Sequence, residues 1–404
     1  MRPPHRIALV HDFLVSLRGA DRVFLSMCQL WPDADVFTTV YDEEGTEGRF
    51  ADRRVHTSFL QRTRPNARNF RRLLPLYPAA IQSLDLSGYD LVVSSSSAWA
   101  HAIRCEERRV HVCYCHNPFR YAWNEHEATL ARRRDPVSRA MLRALFQRWQ
   151  RWDRAAARRV DRYVTTSELT RARIKAYLGR DATIVPPPVE THRFRAGPVG
   201  DHYVLLSELV SHKRIDIAVR AFDRLRLPLV VIGGGPERRH LERLAGPTVR
   251  IAGRLGDREV ERLLQSCRAL IVTAIEEFGI AAVEAQAAGR PVIARRGGGA
   301  LETVRDGETG SFWSGGVDEL AEAVLALNDA AIDSRACVEN AARFSVDAFK
   351  RGLLAEVELA MDPRTRDGQR PVRGEPRFRS TAGQGVAAQR GVSAALPRPS
   401  ALPH

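Results

Sequence analysis

Short apolar runs alternate with amphipathic stretches twice over, and this constrains the fold of the chain more than any other feature. In the first series "RIALVHDF", "ADVFTTVY", "YDLVVSSSS", "RRVHVCYCH" and "RYVTTS" read as strands, and "DRVFLSMCQLW" carries helical spacing. Strand, helix, strand in repetition predicts a parallel sheet with helices on both faces. A second series follows "TIVPPPVETHRF", running from "YVLLSELV" through "LPLVVIGGG", "TVRIAGRL" and "RALIVTAIEEF" to "RPVIARRGGG". Between the two, Pro186, Pro187 and Pro188 forbid helix and stiffen the join. The expected fold is α/β, two Rossmann-like doubly wound domains facing across a cleft, and 404 residues suffice for two separate cores.

The expected boundaries are residues 1–188 for the first domain and 189–345 for the second, with 346–362 a last helix that can cross back. Beyond it, residues 363–404 turn to Arg, Gly, Pro, Ser and Ala without periodicity and are expected to be disordered.

The net charge of +14 is concentrated. Residues 126–160 carry ten arginines against three acids, and residues 363–404 carry eight against two, so the remainder is nearly balanced. That argues against a surface that coats nucleic acid. The six cysteines are scattered, which suits free thiols in a reducing compartment. Cys113 and Cys115 fall on one face of a strand with no second ligand pair at zinc spacing, so two buried thiols are expected there and no metal. Asp33 and Asp35 imitate a D-x-D metal motif but precede a strand, and a turn is expected. "MRPPHRIALVHDFLV" reads as a first strand, not a signal peptide, and no apolar run approaches the roughly 20 residues of a membrane helix. A cytoplasmic protein is expected.

The chemistry concentrates at the ends of strands. "RALIVTA" ends just before Glu276, and Gly279 opens a helix that Gly289 and Pro291 close. In an open α/β sheet the ligand crevice lies beyond the carboxyl ends of the strands, so Glu276 falls on a loop at that edge. Free backbone N–H groups of Phe278, Gly279 and Ile280 would make an anion site beside it. The spacing of Glu276 and Glu284 leaves two readings open, a helix-capping pair of acids or carboxylates that accept from sugar hydroxyls. A second loop, "SHKRID", sets Lys213 and Arg214 at the same edge, where two cations would neutralise phosphate charge.

Together "HKRID", "GGGPE", "EEFGIAAVEAQAAGRPVIA" and "RRGGGALETVRDGETG" resemble the family 4 glycosyltransferases, retaining enzymes of the GT-B fold that use nucleotide sugars. The resemblance covers roughly residues 6–360. It implies that Glu276 holds donor-sugar hydroxyls, Glu284 the nucleotide ribose and Lys213 the diphosphate, with Phe278, Gly279 and Ile280 offering backbone. Glu277 would be a bystander. Many members of the family have arginine where this chain has Glu208; an acid there cannot clamp phosphate, which leaves Arg214 or Arg254 to substitute, or a donor that sits differently.

In the first domain "CHNPFRYAW" resembles a segment of a mannosyltransferase-like bacterial branch that builds surface polysaccharides. His116 matches its active-site histidine, against the alternative of a histidine packed at a strand end. Arg120 and Tyr121 follow as acceptor-side or interdomain groups. Gly19, after the first strand, allows close backbone approach, although Arg18 replaces the first of the two glycines usual in the family.

Between Arg132 and Arg159, Val137, Met141, Leu145, Trp149, Trp152 and Ala156 keep helical spacing among arginines. Such a helix rests on anionic lipid or packs on a core with its arginines solvated. The resulting expectation is a hexosyltransferase using GDP-mannose, without metal or other cofactor, at the inner face of the membrane. Its acceptor would be a glycan or a polyprenyl-diphosphate-linked lipid. A nucleotide-sugar epimerase or hydrolase and a non-catalytic glycan- or membrane-binding relative are the competing readings.

Overall fold

The computed structural model describes residues 6–17, 19–105, 109–328 and 332–362; Arg18 and the segment 363–404 lie outside the described residues. Seven strands, β1 (Ile7–His11), β2 (Asp35–Thr38), β3 (Val55–Thr57), β4 (Leu91–Ser96), β5 (Val110–Cys115), β6 (Arg162–Thr165) and β7 (Thr183–Ile184), form one sheet. All pair in parallel, in the order β3-β2-β1-β4-β5-β6-β7. Six more, β8 (Tyr203–Leu206), β9 (Leu229–Ile232), β10 (Val249–Gly253), β11 (Leu270–Val272), β12 (Val292–Arg295) and β13 (Gly310–Trp313), form a second parallel sheet. Its order is β10-β9-β8-β11-β12-β13. Strand order reverses between β1 and β4 and again between β8 and β11, and at such points the loops part and open a crevice.

Burial on both faces explains why β4 and β5 are continuously buried over six residues each. Their side chains still alternate. Val92, Cys113 and Cys115 enter one core with Tyr77, Trp99 and Trp149, whereas Val93, Val112 and Tyr114 enter the other with Phe24 and Phe349. Each large apolar side chain so buried contributes about 1.5–3 kcal/mol. Burial pushes both thiols far up, which leaves them inert packing groups.

Three serines of β4 break the apolar run and each meets a histidine: Ser94 meets His111 at 2.8 Å, Ser95 meets His116 at 2.8 Å, and Ser96 meets His101 at 3.4 Å. A buried hydroxyl without a partner would cost a few kcal/mol, so the histidines are what allow polar groups in a central strand.

The chain crosses from β7 to β8 through Pro186–Pro188, and the helix Val346–Met361 packs back on the first sheet. Phe349 lies edge-on to Tyr114 at 5.5 Å, and Glu356 bonds Arg162 of β6. Three strands at the sheet margins carry no signal in the apolar pattern, β3, β7 and β13, because their sequences VHT, TI and GSFW hold at most two apolar residues each.

The arginine-rich helix spans Pro136–Ala157, opened by Asp135, whose carboxylate accepts from the Ser138 N–H at 2.6 Å. Its two ends differ. Phe146, Trp149, Ala156 and Ala157 are buried in the first core, but Val137 and Met141 stand 66% and 70% exposed. Among the described residues no helix is long and apolar enough to cross a membrane.

Candidate active site

A cleft of about 580 Å³ separates the carboxyl edges of the two sheets. Gly19, Ser97, His116, Asn117, Arg120 and Thr166 line it from the first sheet, and Ser207, Glu208, Lys213, Thr273 and the loop Glu276–Ile280 from the second.

On the second side, β8 leads through a short turn to Lys213, and β11 leads to Glu276. The Thr273 hydroxyl donates to the Lys213 carbonyl at 2.6 Å, which pins one loop to the other. Lys213 Nζ then donates to Glu276 Oε2 at 2.5 Å, with both side chains mostly screened from solvent. The "GGG" loop holds the acid from behind: the Gly299 N–H donates to the Glu276 carbonyl at 2.9 Å, and a Cβ at Gly298 would stand 2.2 Å from that same oxygen. Gly279, at φ +92°, turns the chain into the helix Ile280–Ala287 and sets the start of that helix, Ile280 to Ala282, along the cleft. The Phe278 ring points away, onto Phe344 at 5.4 Å, so Phe278 offers its backbone.

On the first side, the His116 ring is half-buried at the end of β5. Burial, and then the neighbouring His11, push its pKa down to about 3, so the imidazole is neutral across the physiological range. Its Nε2 lies 2.8 Å from Ser95 Oγ, which lies 3.0 Å from His11 Nδ1, and His11 Nε2 lies 3.1 Å from Asp21 Oδ1. Beside this row, the Asp12 carboxylate accepts the backbone N–H groups of Ser97, Ala98, Trp99 and Ala100 at 2.5–3.0 Å. That clamp shapes the turn after β4, which brings Ser97 to the cleft.

Three expected residues do not line this cleft. Arg214 has left-handed backbone, at φ +51°, which turns its guanidinium outward to Asp216 at 3.4 Å. The Tyr121 ring packs edge-on to Phe119 at 5.6 Å. Glu284 sits more than a turn into its helix; burial raises its pKa, while Arg193 and Arg22 pull the other way. Arg254 is also off the cleft, its stem lying against Gly234. Lys213 and Arg120 are the basic side chains that line the cleft among the described residues.

Glu277 is not a bystander. Arg173 lies 3.1 Å and Arg120 3.6 Å from its Oε1, so two cations of the first sheet meet one acid of the second. Burial pushes this carboxyl up, but Arg120 and Arg173 outweigh it and hold the pKa below the usual range. Sequence reasoning missed Glu277, Arg173, Asp12 and the group His11, Asp21 and Ser95. The polar pair His11-Asp12 ending an apolar strand was a legible signal; Arg173, on a surface-type helix, had none.

Asp35, of the D-x-D-like triplet, opens β2 and bonds the Tyr89 hydroxyl. Among the described residues no group of three His, Cys, Asp or Glu side chains is placed to hold a metal ion.

Residues 17–193 match the family described as Glycosyltransferase Family 4, and residues 190–344 the family described as Glycosyl transferases group 1. A GDP-mannose-dependent alpha-(1-6)-phosphatidylinositol monomannoside mannosyltransferase of Mycolicibacterium smegmatis is 34% identical over 209 residues, 42% of this chain and 55% of that one. A D-inositol 3-phosphate glycosyltransferase of Mycobacterium leprae is 36% identical over 182 residues, 40% of this chain and 42% of that one. The chain thus spans about half the length of these relatives. Among solved structures, Anabaena HepE in complex with UDP-glucose aligns over 88% of this chain and all of its own, with a TM-score of 0.66 at 19% identity. Sucrose-phosphate synthase of Thermosynechococcus elongatus aligns over 89% of this chain and all of its own, with a TM-score of 0.68 at 19% identity. At these identities the likeness carries the fold, two Rossmann-like sheets across a cleft.

Proposed function

This chain belongs to family 4 of the glycosyltransferases, with the GT-B fold, and on that premise we propose that it is a retaining hexosyltransferase using a nucleotide-sugar donor. The observation that carries the reading is the Lys213–Glu276 pair, which faces His116 across one cleft. A donor diphosphate seated at Lys213 and the helix start at Ile280 would place its sugar between Glu276 and His116. Glu276 accepts from the sugar hydroxyls. As the bond from the anomeric carbon to the diphosphate breaks, negative charge grows on the diphosphate, the acceptor oxygen bonds to that carbon, and the acceptor's hydroxyl proton passes to the departing diphosphate oxygen. The attraction to Lys213 and to the helix N–H groups then exceeds that in the ground state, and the excess speeds transfer. No resident cofactor is needed in this scheme.

We take mannose from GDP-mannose as the donor, supported by the named dependence of the mycobacterial mannosyltransferases. The proposed acceptor is a glycan or a polyprenyl-diphosphate-linked lipid in surface polysaccharide synthesis. A peripheral contact with an anionic membrane fits the exposed start of the helix Pro136–Ala157, where Val137 and Met141 stand among Arg133, Arg134, Arg139 and Arg143. The enzyme would then work at the inner face of the cell membrane.

The test is incubation of the full chain with GDP-mannose, UDP-glucose, UDP-galactose and UDP-N-acetylglucosamine, with and without a lipid-linked glycan. Transfer of mannose only with acceptor present is the expected result. Donor consumption without acceptor would instead support an epimerase or hydrolase, and undiminished transfer by Glu276→Ala would remove the proposed site.

A further inference from the structure

We infer that Asp21, His11 and Ser95 form a buried relay that holds His116 as the Nε2–H tautomer, so that its Nδ1 meets the cleft as a hydrogen-bond acceptor. The placement follows from the fold. β1 and β4 are neighbours where strand order reverses, and their register sets His11 directly beside Ser95. Asp21 stands in the first turn of the helix Gly19–Leu30, and His116 directly follows the adjoining β5. These three positioning residues are at most 6% exposed, and His116 alone of the row reaches the cleft.

The direction of each hydrogen bond follows from which atoms carry protons. An ionised carboxylate only accepts, so His11 Nε2 donates to Asp21 Oδ1 across 3.1 Å. A neutral His11 then has a bare Nδ1, which must accept from the Ser95 hydroxyl across 3.0 Å. A hydroxyl has one proton. With it committed to His11, Ser95 Oγ can meet His116 Nε2 at 2.8 Å only by accepting. His116 Nε2 therefore carries the ring proton, and Nδ1, which has no protein partner among the described residues, keeps a lone pair.

Reversing every bond would require His11 to carry both protons. That would put an imidazolium at 2% exposure with its ring stacked on Phe24 at 4.8 Å and 20°. Only the Asp21 carboxylate at 3.1 Å would compensate that charge, and a buried ion pair recovers at best about what its desolvation costs.

An acceptor at this place requires the sugar hydroxyl it meets to donate. The relay would thereby fix which way that hydroxyl points and favour a hydroxyl over a group that can only accept. This consequence rests on the function proposed above; the tautomer itself does not.

The deciding experiment is two-bond ¹H–¹⁵N spectroscopy of the full chain labelled with ¹⁵N-histidine, near neutral pH, with the His116 signals identified by their loss in His116→Gln. The wild-type spectrum is expected to show a protonated Nε2 and the far-downfield Nδ1 of a bare ring nitrogen. In Ser95→Ala the two His116 nitrogens should move toward each other, as both tautomers become populated. A wild-type Nδ1 that carries the proton, or averaged shifts already in the wild type, would overturn the inference. So would a Ser95→Ala spectrum unchanged at His116. Should Ser95→Ala fail to fold, the wild-type spectrum still decides the tautomer. No sugar transfer is measured, so a correct tautomer in a protein that transfers nothing would retain the relay and reject the proposed function.

Discussion

Arg173 reaches across the cleft to Glu277, its guanidinium nitrogen 3.1 Å from Oε1, and so ties the edge of one sheet to the edge of the other. Arg120 reinforces the tie at 3.6 Å.

The tie should be sensitive to acid. The folded pKa of Glu277 is held below its ordinary 4.5, so the contribution is complete above about that value and is lost as the pH falls through the lower folded one. Glu277→Gln is expected to cost about 1–3 kcal/mol at neutral pH, between the limits for exposed and buried pairs. Thermal melts of both proteins at stepwise lower pH should converge once the pH lies below the folded value. A constant gap would mean that the carboxylate charge is not what matters.

Lys213 and Arg214 are adjacent in sequence but should separate sharply in a kinetic assay. Lys213 meets Glu276 in the cleft, and Arg214 faces Asp216 outside it. Lys213→Ala should lower kcat by roughly 10²–10³-fold, the scale for removing one group that stabilises developing charge. Arg214→Ala should change it by less than about threefold, since an exposed pair contributes little. Equal losses would place both cations on the diphosphate.

His111 gives stability a second pH dependence. It is fully buried, and burial, followed by His101 and Arg159, pushes its pKa from the ordinary 6.5 down to about 3. Here the unfolded chain binds the proton first, so stability falls as the pH drops from about 6.5 toward 3, by about 1.4 kcal/mol per pH unit from this group. Denaturant titrations across that range should show a shallower slope in His111→Asn than in the wild type.

Gly298→Ala tests the loop behind Glu276. The added Cβ would lie 2.2 Å from the Glu276 carbonyl oxygen, at a residue with φ +60°, so the loop must move. Donor KM should rise severalfold while far-UV circular dichroism stays unchanged, because the clash is confined to two loops beyond the strand ends.

The exposed start of the helix Pro136–Ala157 should act at a lipid surface. Met141→Glu removes exposed apolar area and adds like charge to an anionic membrane. Cosedimentation with vesicles containing phosphatidylserine should weaken in this variant and in high salt. Soluble-acceptor activity should not change.

Much of this protein is legible in its sequence, because strand and helix periods are local. Apolar runs of four to six residues set the sheets, and glycines at the strand ends set the loops. The linked motifs around Lys213, Glu276 and His116 point to the family. Three marginal strands escape, since VHT, TI and GSFW hold too few apolar residues to make a run.

Which loops converge was decided only by the tertiary structure. Lys213 meets Glu276 across 63 residues, Ser95 meets His11 across 84, and Arg173 meets Glu277 across 104. Periodicity tells a side chain which face it occupies. Its partner depends on strand order and register, and these are settled when each sheet reverses its order at β1–β4 and β8–β11 and presents both crevices to one cleft. For that reason Arg214 could be expected beside Lys213 and yet point away, and Glu277 could look idle between two motif positions and yet tie the two sheets together.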